Sequence, residues 1–483
     1  MDNSAGPASI AMEFKSLASG PWVRRTFYLL LAAAELYIIV GQAQTEDLLW
    51  VPVALGLIAA FTLLMFWWPY GALLGLVASQ LFSHYYILVN GWKLRPEHAV
   101  AVATAAILVL RVLFRRHRTD RATIFDYLLA GFLVLNYLSS AFFSVDAPRS
   151  LRWALLTNLA VLPYFLVRFS GSGQRYVARI FRYVLWLGLF EAAYGILGLL
   201  LWHFSGIAAG VELNHYVGMT SVRGTMYFSA AFGGYTACCS VMFLALWLFG
   251  EGRRRRRYAM GALVTCIAAL ASLGRGEILG LLAGVIFISY LAVRRKVVSR
   301  GKLLSMGVAA VLLLSAILVA SVGPFIAARF RNLGGQSESI RGRVLEVLVA
   351  LPGIEQHPLL GNGTNSSKLL ADEGGPLYRS LTGGSYLELF LPRVLYDTGA
   401  VGLGLFGTLI VLLWRRTRKV IRRLGRRELS LLAAMTAVVL VELVASQLED
   451  PTLMGFPWLF LGLFVSVLLD YERTLSSRGR LCR

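Results

Sequence analysis

The chain has 483 residues, of which 57% are hydrophobic and 15% charged, and its mean hydropathy is +0.66. That balance excludes an ordinary soluble protein, and apolar runs of about 17–25 residues recur, each long enough to cross a hydrocarbon core about 30 Å thick. The net charge of +21, from 47 Lys and Arg against 26 Asp and Glu, does not point to nucleic acid, because the basic residues gather in alternate loops and in the tails; their expected partners are anionic membrane lipids.

In chain order, the polar stretch 1–25 has no cleavable signal pattern and is expected to stay in the cytoplasm. Membrane spans are predicted at 27–43, 48–66, 69–90, 98–114, 124–143, 150–168, 180–203, 226–249, 258–273, 276–293, 303–323, 387–413, 428–447 and 455–470. Arg24 and Arg25, RRHR at 115–118, Arg175 to Arg182, RRRRR at 253–257, the stretches 293–302 and 414–427 and the C-terminal tail then all fall on one face. Both termini are cytoplasmic in this arrangement. The expected fold class is all-α, a polytopic transmembrane helical bundle of about 12–14 spans. It divides into a bundle over 1–323 that includes an external loop at 205–224, a large periplasmic loop with short helices over 324–386, and C-terminal helices with a basic cytoplasmic tail over 387–483. Cys238, Cys239 and Cys266 lie in apolar spans and Cys482 in the tail, with no disulfide framework or metal-ligand spacing. No nucleotide loop is present, so neither cofactor nor metal is expected. No internal repeat is visible, which weakens a transporter reading.

The long loop gathers the turn-forming and charged residues, and loops on a rigid frame are where chemistry usually sits. Ile340, Val344, Val347, Leu348 and Leu351 recur at helical spacing, and Pro352-Gly353 is expected to stop that helix. Its apolar face is expected on the membrane surface or against the bundle. A Gly-rich turn, HPLLGNGTNSS, comes next, then a polar stretch ending at GGSYLELF.

Arg223, in VRGTMYFSAAFGGY, and Arg275, in SLGRGEILG, lie at the outer rim, where the charge rule leaves few basic residues. A guanidinium grips phosphate oxygens as a planar fork. The span that begins beside Arg275 also presents free backbone N–H groups and the positive end of its dipole. Together these features point to an anion site; pairing with Glu277, Glu212 or lipid headgroups is the alternative. His357 and His215 are general-base candidates by residue type, although a lone loop histidine is more often simply solvated. Glu355, Asp372, Glu373 and Glu388 are the loop's acids. Glu388 stands where the chain re-enters lipid, and loss of water there raises a carboxyl's pKa. Glu35, Glu191, Glu442 and Arg111 lie deeper in spans and are expected to pair helices.

Four patches carry a family resemblance. VRGTMYFSAAFGGYTA, SLGRGEILGLLAG, GRVLEVLVALPGIEQHPLLGNG and SYLELFLPRVLYDTGAVGLGLF resemble, in order and spacing over about 215–415, the motifs of the O-antigen ligase and O-antigen polymerase family of bacterial membrane glycosyltransferases. Arg343, His357, Gly361 and Gly363 stand at matching places in the third patch, and Asp397 and Gly399 at the acid and glycine positions of the fourth. Where the family's loop carries His-Asn before Tyr-Leu, this chain has Gly383-Gly384-Ser385. Arg223 with Gly234, and Arg331 with Gly342, also fit the Arg-x10-Gly spacing described for some polymerases.

The resemblance implies a glycosyltransferase of the bacterial inner membrane, acting on an undecaprenyl-pyrophosphate-linked glycan without metal or cofactor. The acceptor would be a second lipid-linked repeat unit (a polymerase, the favoured reading without the ligase-type His) or a lipid A core (a ligase). A lipid-linked glycan flippase is the reading from another class. Arg223 and Arg275 are the expected catalytic cations and Glu388 or His357 the expected base. Arg341, Arg343, Gly361, Gly363 and Tyr386 are the expected substrate contacts. A chain-length regulator and other polysaccharide assembly proteins are expected partners. If the charge alternation sets the topology, alkaline phosphatase fused at Gly374 is active and at Gly425 silent; the reverse pattern would refute the assignment.

Overall fold

Apolar runs of this length cross lipid only as structures that satisfy every backbone group internally, and for a single chain segment that means a helix. The computed structural model of the protein obeys this rule. It describes residues 69–83, 87–89, 92–113, 120–170, 174–214, 219–250, 254–299, 301, 333–367, 387, 389–447 and 454–481.

The described elements are α1 (Pro69–Ser79) with a short 3-10 turn (Gln80–Phe82), the hairpin β1 (Ile87–Val89) and β2 (Trp92–Leu94), α2 (Pro96–Leu113), α3 (Ile124–Phe142), α4 (Ala147–Phe169) and α5 (Gln174–Ser205). A second hairpin, β3 (Val211–Asn214) and β4 (Met219–Val222), leads to α6 (Ser229–Phe249), α7 (Arg255–Ala271) and α8 (Arg275–Arg294). Then come α9 (Leu333–Gln356), α10 (Phe390–Arg423), α11 (Arg426–Ala445) and α12 (Gly455–Leu481). Among the described residues 8 helices are long and apolar enough to cross a membrane: α3, α4, α5, α6, α8, α10, α11 and α12. The protein is thus a multi-pass, all-α membrane protein. Shorter apolar helices, Gly71–Phe82 and Pro96–Val109, occupy two further predicted spans. The predicted span at 258–273 is α7, only 17 residues long. The spans expected at 27–43, 48–66 and 303–323 lie outside the described residues.

α6 is the most enclosed of the crossing helices, with 83% of its apolar window buried. It packs against α5, α7, α8 and α11. Close approach comes from glycines on its neighbour: a Cβ at Gly280 of α8 would lie 2.6 Å from Val441 O of α11, and one at Gly284 would lie 2.7 Å from Val241 of α6. Small residues at such crossings give dispersion contacts where lipid offers no hydrophobic drive. Tyr235 of α6 then stacks on Phe460 and meets Phe456 edge-on, at 5.8 and 5.6 Å between centroids, tying α12 to the same core. A second group, α3, α4, α10 and α12, completes the bundle.

The helices alternate in direction, so the bundle has two chemically distinct ends. One gathers Arg255, Arg294, Arg422, Arg423 and Arg473. There the fully buried Arg168 reaches Asp120 at 3.5 Å and Asp126 at 3.4 Å, and Arg473 reaches Asp120 at 3.2 Å. Burying the Arg168 charge is tolerable only because it is paired. The other end carries the hairpins, the N-termini of α6, α8, α10 and α12, and the turn after α9.

One expected loop carries a hairpin, and one expected helix end is corrected. The segment 205–224 contains a hairpin, with Val211 opposite Val222 and Asn214 opposite Met219, because the chain doubles back along α5. α9 does not stop at Pro352-Gly353 but runs through Pro352 to Gln356. Its last turn is held from outside: Gly353 packs on the Tyr396 ring, and Gly353 O accepts from Asn362 Nδ2 at 2.9 Å and from His357 N at 3.3 Å.

Candidate active site

Arg223 comes directly after β4 and opens a tight turn closed by the Met226 N–H donating to Arg223 O at 3.1 Å. The Arg223 and Gly224 N–H groups both donate to Gly210 O at 3.0 Å. Thr225 N donates to Glu191 Oε1 at 2.7 Å, and Thr225 Oγ1 lies 2.8 Å from Leu81 O. Tyr227 N donates to Ser83 Oγ at 3.1 Å. The turn is thereby pinned by α5 and by the end of α1. The Arg223 side chain is half-buried, and its Nε finds no hydrogen-bond partner among the described residues. Glu212 accepts from Ser229 N at 3.0 Å and so serves the start of α6.

Arg275 is the first residue of α8, with Gly274 as the N-cap. Glu277 is buried in that first turn and lies against the second turn of α6: a Cβ at Gly233 would meet Ser272 Oγ and Glu277 Cγ. On another side of α6, Phe232 lies against Gly224 and Gly195. The Arg223 turn and the α8 N-terminus therefore flank the first two turns of α6. Sequence reasoning passed over a third cation at this end. Arg95, between β2 and α2, holds its guanidinium 5.1 Å from the centre of the Tyr227 ring, 3.6 Å from Glu97 and 3.6 Å from Met454 Sδ. The signal was available, since Arg95 precedes a predicted span on the outer side, as Arg223 does.

The Gly-rich turn forms a separate constellation. α10 is broken at Gly399, whose φ of 65° and ψ of −169° are not helical. The break frees backbone groups in the middle of an apolar helix, and the turn supplies their partners. Asn362 N donates to Tyr396 O at 2.9 Å and Gly363 N to Asp397 O at 3.0 Å, while Ala400 N donates to Pro358 O at 2.8 Å and Val401 N to Leu359 O at 3.1 Å. Ser139 Oγ adds a 2.7 Å bond to Asp397 O. Asp397 Oδ2 accepts from Asn365 N at 2.8 Å and lies 3.4 Å from Arg393 Nε, and Arg393 Nη2 reaches Asn365 Oδ1 at 3.3 Å. Ser140, Ser144 and Ser150 of α3, α4 and their connection line the other side of the turn, bonding Thr364 N, Ser366 Oγ and Thr364 O. Gly361 and Gly363 are buried, with φ of 73° and 93°. Their described surroundings are backbone and serine side chains, and a Cβ at either would collide with them.

His357 is half-buried at the head of this turn, its ring 5.3 Å from that of Phe143. No described contact joins it to the arginine pair. Arg341 and Arg343 lie on α9, and Tyr386, Glu388 and His215 lie outside the described residues. Glu442, expected to pair helices, does so: Cys238 Sγ of α6 donates to its Oε1 at 3.0 Å. Glu191 instead reaches a turn. Among the described residues no three His, Cys, Asp or Glu side chains converge as metal ligands.

Residues 260–407 match the family model described as O-Antigen ligase. The match takes in α8 with Arg275, α9, the Gly-rich turn and the break at Gly399, and leaves Arg95, Glu191 and Arg223 outside it. No curated protein matches the chain.

The turn's fit to the break generates a prediction. A side chain at φ near +65° costs about 1–2 kcal/mol before any clash, and Cβ atoms at Gly361 and Gly399 would each strike the partner backbone. Gly361→Ala and Gly399→Ala are each expected to lower the thermal midpoint and membrane abundance clearly. Gly404→Ala and Gly407→Ala, in open space on the same helix, are expected to change neither.

Proposed function

We propose, on the premise that this chain carries a domain of the O-antigen ligase family over residues 260–407, that it is a membrane glycosyltransferase polymerising undecaprenyl-pyrophosphate-linked repeat units at the outer face of the bacterial inner membrane. The observation that carries the reading is the placement of Arg223 and of Arg275, at an α-helical N-terminus, on two sides of α6 at the end opposite the basic clusters. A donor already activated by its diphosphate needs no nucleotide site. It needs directed cations where charge develops on the leaving pyrophosphate, and such groups act most strongly in a site that excludes water. Arg223, Arg275 and the N–H groups opening α8 are suited to that role. The polyprenyl tail would lie in lipid beside the bundle. Arg341, Arg343 and Tyr386 are proposed to contact the glycan, and Gly361 and Gly363 to act through the turn they shape. Transfer to a lipid A core is the second reading; Gly383-Gly384 in place of the ligase-type His-Asn favours the polymerase.

Replacing Arg223 or Arg275 by Ala is expected to slow transfer from purified lipid-linked donor by about ten- to a hundred-fold, the loss of one charge-assisted contact, with Lys restoring little because it lacks the fork. Wild-type rates in either Ala variant at normal membrane abundance would reject the assignment. For the base, we expect Glu388→Gln or His357→Gln to shorten or abolish polymer in a deletion strain. Full-length polymer from both would remove the two residues from the mechanism.

A further inference from the structure

One face of α5 explains how Arg223 is held. Gly188, Glu191, Gly195 and Gly198 recur at helical spacing, and each meets a segment later in the chain than α5. Gly198 touches Ala209 O, Gly195 meets Val222 and Phe232, Glu191 lies against Gly224, and Gly188 meets Cys239. After Ser205 the chain therefore folds back down α5, guided by three positions without side chains. The helix itself continues from Glu191 to Ser205, about 21 Å at 1.5 Å per residue.

Glu191 is the carboxyl of that face, and Tyr194, one turn on, packs against Gly210 of the same returning segment. Glu191 is 1% exposed. Its Oε1 accepts from Thr225 N at 2.7 Å, and its Oε2 lies 3.0 Å from Thr225 Oγ1. Gly224, with φ of 60°, leaves the space in which Oε1 sits. A carboxyl inside a membrane helix is costly and is kept where it has a task. Here the two contacts just given end on the residue two places after Arg223, inside the turn that Arg223 opens.

We propose that Glu191 is the positioning residue for Arg223: it clamps the 223–226 turn from within the bundle, so that the guanidinium meets the donor's diphosphate at a fixed place. The inference rests on the reading of Arg223 as a diphosphate contact. A side-chain amide can take over both contacts, offering its carbonyl to Thr225 N and its NH2 to Thr225 Oγ1. An alanine can take neither.

The test is binding of undecaprenyl pyrophosphate to the purified full chain in detergent, with folding monitored by thermal midpoint. Glu191→Ala is expected to weaken binding about ten-fold, the low end for losing a hydrogen bond to a charged group, and Glu191→Gln to bind nearly as the unaltered chain does. Glu191→Ala combined with Arg223→Ala should bind no more weakly than Arg223→Ala alone, because the two act as one unit. Additive losses in the double variant, unchanged binding in Glu191→Ala, or a Gln variant as weak as Ala would overturn the proposal. Should Glu191→Ala fail to accumulate, Gly224→Ala drives a Cβ into Oε1 while keeping the carboxyl, and the same non-additivity with Arg223→Ala is required of it. Unchanged binding in Arg223→Ala, or none by the unaltered chain, counts instead against the donor reading of Arg223.

Discussion

The structure depends most on the exchange of backbone hydrogen bonds between the break at Gly399 and the turn after α9. A helix inside lipid cannot leave carbonyls and amides open, since each unsatisfied group costs several kcal/mol where no water can reach it. α10 opens a gap at Gly399, and the turn closes it from both sides: two of its amides meet the freed carbonyls of Tyr396 and Asp397, and two of its carbonyls meet the freed amides of Ala400 and Val401. The exchange is geometric before it is chemical. It requires two backbones to touch, so the positions that touch are glycines. Everything attached to the turn inherits its place from this contact, including α9, His357 and the serine cradle of α3 and α4.

The arginine side of the same end is built differently. No helix is broken there among the described residues. A hairpin is laid against glycines of α5, and a buried carboxyl receives the turn that ends it. In the first constellation backbone replaces backbone, and in the second a side chain from below fixes a loop above. Both devices hold irregular chain inside a helical frame by giving its backbone groups partners. That is the condition for placing charged side chains near lipid in fixed positions rather than on mobile tethers.

Sequence reasoning recovered the features set by local periodicity and missed those that depend on partners far along the chain. The positions of the described spans and the start of α8 at Arg275 come from hydropathy and charge alternation, which are local quantities. The lie of α9 does not. Val344, Leu348 and Leu351 of the apolar stripe are exposed, whereas Val347 lies with Ile354 against Ala350, Leu387 and Tyr396, so the edge of the stripe that meets α10 is selected by partners far along the chain. HPLLGNG announced a turn through its glycines, but nothing in the string named Gly399 as its partner. Glu191 and Glu442 look alike in sequence, each an acid in an apolar span. One meets a loop amide and the other a thiol on a neighbouring helix, a difference set by Gly224, a position distant in sequence from Glu191.

The proposed anion site joins a segment matched to the family with one outside the match, and α6 is the joint. Arg275 comes from the matched part and Arg223 from the unmatched part. Their separation is set by how closely α8 and α5 approach α6. Those approaches are glycine contacts: Gly233 against Ser272 and Glu277, Gly284 against Val241, Gly188 against Cys239. Packing of this kind is stiff, since interiors are dense and small changes in volume are felt as strain. A diphosphate bound by two guanidinium forks is sensitive to their spacing in a way that one bound by a single flexible cation is not. In the proposed mechanism, then, the small residues along α6 and its neighbours govern catalysis as directly as the arginines do, because they fix the distance over which the arginines must act together.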